Sequence, residues 1–254
     1  MMNSPLRIIA IVFGRAGSQG LPNKNVMSIL GRPCVTYAVQ AAKASGIVQK
    51  IYISTDSKEI QQVCQPYGVE HITRPSELAN HSALLEDAIS HAFNEVESRE
   101  TMPVDFYLIL LANAPTVIPK RLQKARDILV SEPQLDCVTT GAKLNMYTAV
   151  RAWKMDSKTK RIKNYIPLEI LNREVDVSCD RNKSEDCYFC DHSFTLVRRD
   201  ALANLPDNVE PFRWMGNTRH LLEQPAGACD IDIKWQVPLV EQWLRDHGFS
   251  EEKL

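Results

Sequence analysis

Missing first of all is any surplus of charge: 30 lysines and arginines stand against 31 aspartates and glutamates, a formal net charge of −1. That balance argues against non-specific nucleic-acid binding, which needs a basic excess or stripe. Long apolar runs are missing too. Ile8 to Phe13 and Phe106 to Leu111 are strand-length, far short of the roughly 20 residues that span a bilayer, so no membrane partner is expected. The N-terminus lacks the apolar core and small-residue cleavage site of a signal peptide. The seven cysteines are scattered and odd in number, which excludes a disulfide framework and points to the reducing cytoplasm. With 44% hydrophobic residues over 254 positions, the chain can bury a core without disulfides or a structural metal.

What is present is alternation. Leu6 to Phe13 reads as a buried strand, and Pro33 to Ser45 as a helix with Val35, Ala38, Val39 and Ala42 on one face. Lys50 to Ser54 is a second strand, and Ser57 caps a helix running to about Gln65. Gly68 to Ile72, Asp105 to Leu111 and Cys137 to Thr140 are further strands; Ala83 to Glu97 and Pro119 to Val130 are helices. Such alternation implies an α/β fold, a mainly parallel sheet with helices on both faces, whose ligands bind beyond the carboxyl ends of the strands. From about Lys143 to Asp191 charged and turn-forming residues crowd together, and the segment reads as an inserted arm on a single domain spanning residues 1–254. Phe194 to Val197 resumes strand character, and Trp235 to Leu244 closes the chain as an amphipathic helix.

The segment richest in chemistry follows the first strand: Gly14-Arg15-Ala16-Gly17-Ser18-Gln19-Gly20-Leu21-Pro22-Asn23-Lys24-Asn25. Its glycines let the backbone turn N–H groups onto anionic oxygens, while Arg15 and Lys24 are placed to neutralise a phosphate chain. A Walker A loop would need Gly-Lys-Ser/Thr, and a dinucleotide fold would need Gly-x-Gly-x-x-Gly leading straight into a helix; neither is here. An ordinary strand-to-helix loop with three glycines remains open on this segment alone.

The stretch Arg15 to Asn25, reading Arg-x-Gly-Ser-x-Gly-x-Pro-x-Lys-Asn, resembles the signature of the acylneuraminate cytidylyltransferases and, more distantly, the CMP-Kdo synthetases. The resemblance continues through Leu30-Gly31-Arg32-Pro33, Ile53-Ser54-Thr55-Asp56-Ser57 and Arg74-Pro75-Ser76-Glu77-Leu78-Ala79, and ends at Cys229-Asp230-Ile231-Asp232. It implies a Rossmann-like, GT-A-like nucleotidyltransferase fold whose inserted arm, residues 143–191, builds a homodimer. The implied reaction is attack of an acidic sugar's anomeric hydroxyl on the α-phosphorus of CTP, with Mg²⁺ as cofactor and pyrophosphate leaving. Arg15, Ser18, Lys24 and Asn25 inherit phosphate and nucleotide roles; Gly14, Ala16, Gly17, Arg74, Ala83 and Asn113 complete the nucleotide set. Arg15, Lys24, Asp230 and Asp232 form the catalytic set, and Asp230 with Asp232 the metal pair. Residues two apart in an extended segment point to the same side, which suits shared oxygen ligation of a hard cation. Two solvated carboxylates on an edge strand would look the same. Asp56 matches the motif but reads equally as a helix cap, and Arg74 as a surface arginine before a turn.

Four departures from the family pattern stand out. Leu111 replaces a glutamine near the sugar, and leucines at Ala83-Leu84-Leu85-Glu86 replace serines beside the phosphates. Gln236 stands where a third acid is often found, and His192-Ser193 where Asn-Gly is usual. These leave two alternatives: a nucleotidyltransferase for another acceptor, such as a phosphonate or a sugar phosphate, or a catalytically silent dimeric paralogue. Cys187, Cys190 and His192 invite a zinc reading, yet only Cys179 is a further nearby ligand; Tyr188 to Val197 also aligns with a strand of the resembling family that enters the active-site region, and thiols on a strand are the simpler account. Across a dimer interface, Lys143, Arg151 or Arg173 would be placed to meet a substrate carboxylate.

Overall fold

The computed structural model describes residues 6–17, 20–167, 169–170, 180, 183 and 185–251. In chain order the elements are β1 (Ile8–Phe13), β2 (Ser28–Ile29), β3 (Arg32–Pro33), α1 (Cys34–Ala44), β4 (Lys50–Thr55), α2 (Lys58–Cys64), β5 (Glu70–Thr73) and α3 (Leu85–Arg99). There follow β6 (Phe106–Leu111), α4 (Pro119–Ser131), β7 (Cys137–Lys143), β8 (Trp153–Met155), β9 (Ile162–Asn164), β10 (Tyr188–Arg198), α5 (Arg199–Ala203), β11 (Arg219–Glu223) and α6 (Gln236–Asp246).

A continuous apolar run such as β1 has no polar face to offer water, so it belongs in the middle of a sheet covered on both sides. All six of its residues are buried, between β4 and β6 and parallel to both. Ile8, Ala10 and Val12 point into one core cluster with α1, α2 and α4; Ile9, Ile11 and Phe13 point into the other, with α3 and α5. The sheet order is β11-β7-β10-β6-β1-β4-β5, with β10 alone antiparallel to its neighbours. This is the expected α/β architecture of a mainly parallel sheet with helices on both faces.

Two features depart from the sequence reading. Composition alone gives a strand only from Phe194, whereas the resemblance aligns one from Tyr188; the strand does start at Tyr188, and a register shift between Cys190 and Thr195 interrupts its pairing with β7. Polar and turn-like residues (Cys190-Asp191-His192-Ser193) hide the strand because the bulge breaks its alternation. The other is β11, whose Arg-His-Leu-Leu-Glu composition gives no strand signal; it lies at the sheet's edge, where half its surface meets water. Between β7 and β10 the chain leaves the main sheet and forms the separate β8–β9 hairpin. Among the described residues no helix is long and apolar enough to cross a membrane.

At the amino ends of β1 and β4, far along the strands from the ligand edge, Glu100 closes α3 onto the sheet. Its carboxylate is almost wholly enclosed and accepts from Lys50 Nζ at 2.9 Å, from Tyr52 Oη and from Arg7. Burial alone would push this acid up, but the donors from Tyr52, Lys50 and Arg7 outweigh it and hold the group at about 2. A carboxyl depressed in the folded state stabilises above its unfolded pKa, and that stabilisation fades as pH falls from about 4.3 towards about 2. Glu100→Gln is therefore expected to lower unfolding free energy at pH 7 by an amount on the order of 3 kcal/mol. Urea melts at pH 7 and pH 3 check it: the gap between variant and parent should shrink at the lower pH.

Candidate active site

At the carboxyl ends of β1 and β6 lies a cleft of about 440 Å³. Its walls are the first loop (Gly14, Arg15, Gly20, Lys24, Asn25), Arg74 after β5, the start of α3, Leu111 and Asn113 after β6, and Asp230 to Ile233.

The loop is shaped by close backbone contacts. A Cβ at Gly14 would sit 2.6 Å from that of Ala112, and one at Gly20 would sit 2.5 Å from the carbonyl oxygen of Asp232. Gly20 is thus the point where the loop touches the acidic segment. Gly17 has φ +66° with open space around it, so it serves the turn and not a contact. Asn25 is buried and its amide donates to the Arg15 carbonyl at 2.9 Å, closing the loop on itself. The Ala16 N–H donates to Asp56 at 2.8 Å, while the N-cap of α2 is Ser57, whose hydroxyl accepts from Ile60 at 3.2 Å. Asp56 therefore braces the loop and does not cap the helix. Ser18 lies outside the described residues.

Three cations converge. Arg15 reaches the carbonyls of Ala79 and Asn80, and Lys24 forms an ion pair with Asp232. Arg74 is buried rather than on the surface, donating to the Ser54 carbonyl at 2.8 Å with its guanidinium 5.9 Å from the Phe13 ring centre. Desolvation pulls it down to about 10, offset in part by Asp56 and deepened by Arg15, and among the described residues its guanidinium forms no carboxylate salt bridge.

Opposite them is the acid pair. Asp230 is pushed up first by burial and then by the like charge of Asp232, with His192 and Lys24 pulling the other way. The Asn113 amide lies 3.4 Å from an oxygen of each carboxylate and 3.2 Å from the Ile231 carbonyl. The Ile231 N–H donates back to the Asn113 carbonyl at 2.8 Å. Gln236 Oε1 accepts from the N–H groups of Asp232 (2.8 Å) and Ile233 (2.9 Å), so it clamps the segment where a third acid was sought. Two hard-oxygen ligands reached by one amide, in a site whose own charges repel, suit a divalent cation that keeps several waters. Among the described residues no group of three or more His, Cys, Asp or Glu side chains is arranged to hold a metal. Cys190 and His192 touch at 3.7 Å (Sγ to Nδ1), and Cys179 lies outside the described residues.

A family model described as "Cytidylyltransferase" matches residues 9–163, more than half of the chain. The chain belongs to the cytidylyltransferase family. Among its relatives, N-acylneuraminate cytidylyltransferase A of Danio rerio is 29% identical over 245 residues, 95% of this chain and 52% of that protein. Pseudaminic acid cytidylyltransferase of Campylobacter jejuni is 30% identical over 121 residues, 47% of this chain and 52% of that protein. The chain spans about half or less of the curated relatives it matches. In fold it is similar to a CMP:2-keto-3-deoxy-manno-octonic acid synthetase solved with CTP, at TM-score 0.64 and 15% identity, covering 95% of this chain and 99% of that one. A 4-diphosphocytidyl-2C-methyl-D-erythritol synthase from Anaerococcus prevotii follows at TM-score 0.57 and 11% identity, covering 95% and 100%.

Of the residues singled out from this cytidylyltransferase sequence, Gly14, Arg15, Lys24, Asn25, Arg74, Ala83, Asn113, Asp230 and Asp232 line one cleft; Ala16 and Gly17 flank it on the outer side of the loop. Gln236 and Gly20 were missed as site residues. Neither has a sequence signal of its own, because one acts through a backbone clamp and the other through an absent side chain. Gly20→Ala is expected to cost about 1–3 kcal/mol of stability by forcing loop and acidic segment apart, against about 1–2 kcal/mol for Gly17→Ala from its backbone angle alone. Thermal melts of the pair measure this.

Proposed function

We propose that the protein is a CTP-dependent cytidylyltransferase that couples CMP to the anomeric hydroxyl of an acidic sugar. The observation that carries this reading is the convergence of Arg15, Lys24 and Arg74 on Asp230 and Asp232 across one cleft at the carboxyl edge of the sheet. Cations on one side and an acid pair on the other is the arrangement a metal-triphosphate needs. The hydroxyl oxygen attacks the α-phosphorus, the bond to the bridging β-phosphate oxygen breaks, pyrophosphate leaves, and the hydroxyl proton passes to water. Arg15 and Lys24 stabilise the charge growing on the leaving group, and the backbone N–H groups of the first loop orient the phosphates. Asp230 and Asp232 would hold Mg²⁺, which when bound supplies charge neutralisation and lowers the pKa of the attacking hydroxyl. Lys24 would exchange Asp232 for phosphate oxygen as the metal arrives.

A homodimer built through the arm belongs to the same proposal. Trp153, Met155, Ile162 and Tyr165 of the β8–β9 hairpin and the adjoining Tyr147 are each more than half exposed, an apolar concentration that water does not favour. Lys143 is paired with Asp186 at 2.6 Å, leaving Arg151 as the arm cation to reach a substrate carboxylate; Arg173 lies outside the described residues. The cytoplasm is the proposed compartment, since Cys34 and Cys137 are packed wholly inside the core as small apolar groups and free thiols suit a reducing milieu. Leu85 and Leu111 in the cleft favour one second reading, transfer of CMP to an acceptor other than an acidic sugar.

The test is pyrophosphate release from CTP and Mg²⁺ with sialic, legionaminic, pseudaminic and Kdo-type acids, beside a phosphonate and a sugar phosphate. Turnover with an acid, reduced about 10²- to 10³-fold or more in Asp230→Ala, is expected; turnover with the neutral-sugar phosphate or phosphonate alone would replace the acid by that acceptor. For the dimer, sedimentation should give twice the monomer mass, and Trp153→Glu should return it to monomer.

A further inference from the structure

The cleft is polar on its rim and apolar on its floor. Along β6 the side chains alternate between the two cores: Phe106, Leu108 and Leu110 into one, Tyr107 and Ile109 into the other. Leu111 continues the second series past the end of the buried core, and it lines the cleft while packing on that core. Leu85, the first residue of α3, does the same, and Leu84 beside it is 61% exposed. The floor is therefore the open top of a hydrophobic core, and neither the Leu85 nor the Leu111 side chain brings a hydrogen-bonding group to it.

A triphosphate is not held by the Leu111 side chain, because an anion set against hydrocarbon without donors loses far more hydration than it regains. The phosphates belong with Arg15 and Lys24 on the β1 side, and the Phe13 part of the floor lies beneath the Arg74 guanidinium. Leu111 is left at the end of β6, two residues from Asn113, whose amide lies near Asp230, and Leu85 lines the same cleft from the start of α3. In-line displacement puts the attacking group opposite the departing pyrophosphate. The pyrophosphate lies with the cations, so the acceptor approaches from the β6 side.

We propose that Leu85 and Leu111, with Leu84 at the rim, select an acceptor that presents a deoxygenated or acyl-methyl face, and discriminate against one presenting free hydroxyls there. This rests on the CMP-transfer reading and specifies the acceptor's chemistry. A buried hydroxyl with no partner on the leucine floor loses its water without compensation, which is worth about a tenfold to hundredfold penalty. A methyl group in the same place meets carbon atoms at van der Waals distance.

The experiment pairs legionaminic acid with N-acetylneuraminic acid, which shares its ring configuration but carries hydroxyls where the other has a methyl-ended chain and a second acetamido group. Binding of each acid is measured by calorimetry with a non-hydrolysable CTP analogue and Mg²⁺ present, and kcat/KM is measured with CTP. The expected result is a tenfold or greater preference for legionaminic acid, kept by Leu111→Met and reduced below threefold by Leu111→Gln, with the KM for CTP unchanged in both variants. Leu111→Met also guards against a folding defect, and thermal melts of both variants accompany it. Equal affinity for the two acids, a preference that survives Leu111→Gln, or a change confined to the CTP KM overturns the proposal. So does failure of both acids to bind while the CTP analogue binds. Failure of the CTP analogue itself to bind would instead strike the CMP-transfer reading on which the proposal stands.

Discussion

The site depends on holding two stretches of chain, 208 residues apart at Lys24 and Asp232, in backbone contact. Coulomb attraction between that lysine and aspartate is the visible link, but an exposed pair of this kind contributes little to stability by itself. The stiffer constraint is steric and directional. Gly20 admits the Asp232 carbonyl at a distance no Cβ would tolerate, Asn113 exchanges hydrogen bonds with Ile231, and Gln236 takes two N–H groups of the same segment. These polar contacts close a ring from the end of β6, through the acid pair, to the start of α6 and back to the first loop. Remove them and two like-charged carboxylates have every reason to separate.

Electrostatics in the cleft leave two groups perturbed, Arg74 and Asp230. Arg74 is desolvated and answered by carbonyl and hydroxyl oxygens, not by an acid, while Asp230 is pushed towards its neutral form by burial and by Asp232. Both strains are relieved together by a ligand that brings phosphate oxygens to the arginine and a cation to the aspartates. Perturbed groups of this kind cluster at functional sites. Structural ion pairs such as the Glu100 cluster at the other end of the sheet satisfy themselves instead.

Much of this was legible in the chain. Central strands declare themselves as unbroken apolar runs and helices by their periodicity, so the α/β fold could be read before any coordinates, while Arg15, Lys24, Asp230 and Asp232 were singled out by the family resemblance and lie together in one cleft. What escaped did so for physical reasons. An edge strand such as β11 has no need of an apolar face, and β10 is masked by a bulge that brings Asp191 and Ser193 into a buried polar network with Thr140, Gln224 and Thr116. Gln236 looks like a lost acid in sequence and turns out to be a clamp, a role visible only when its amide is seen against two peptide groups. Asp56 was read as a cap because it stands beside one.

One strand ties the periphery to the centre. β10 begins at Tyr188 on the arm side, where it pairs with the end of β7, passes through the bulge at His192, and ends as Arg198 deep against β6 and α4. A strand is stiff along its length and slack at a bulge. The strand that seats Asp191 bends at His192, whose φ is +56°. Residues far out on β7 and residues beside the acid pair thus belong to a single strand pairing, interrupted once.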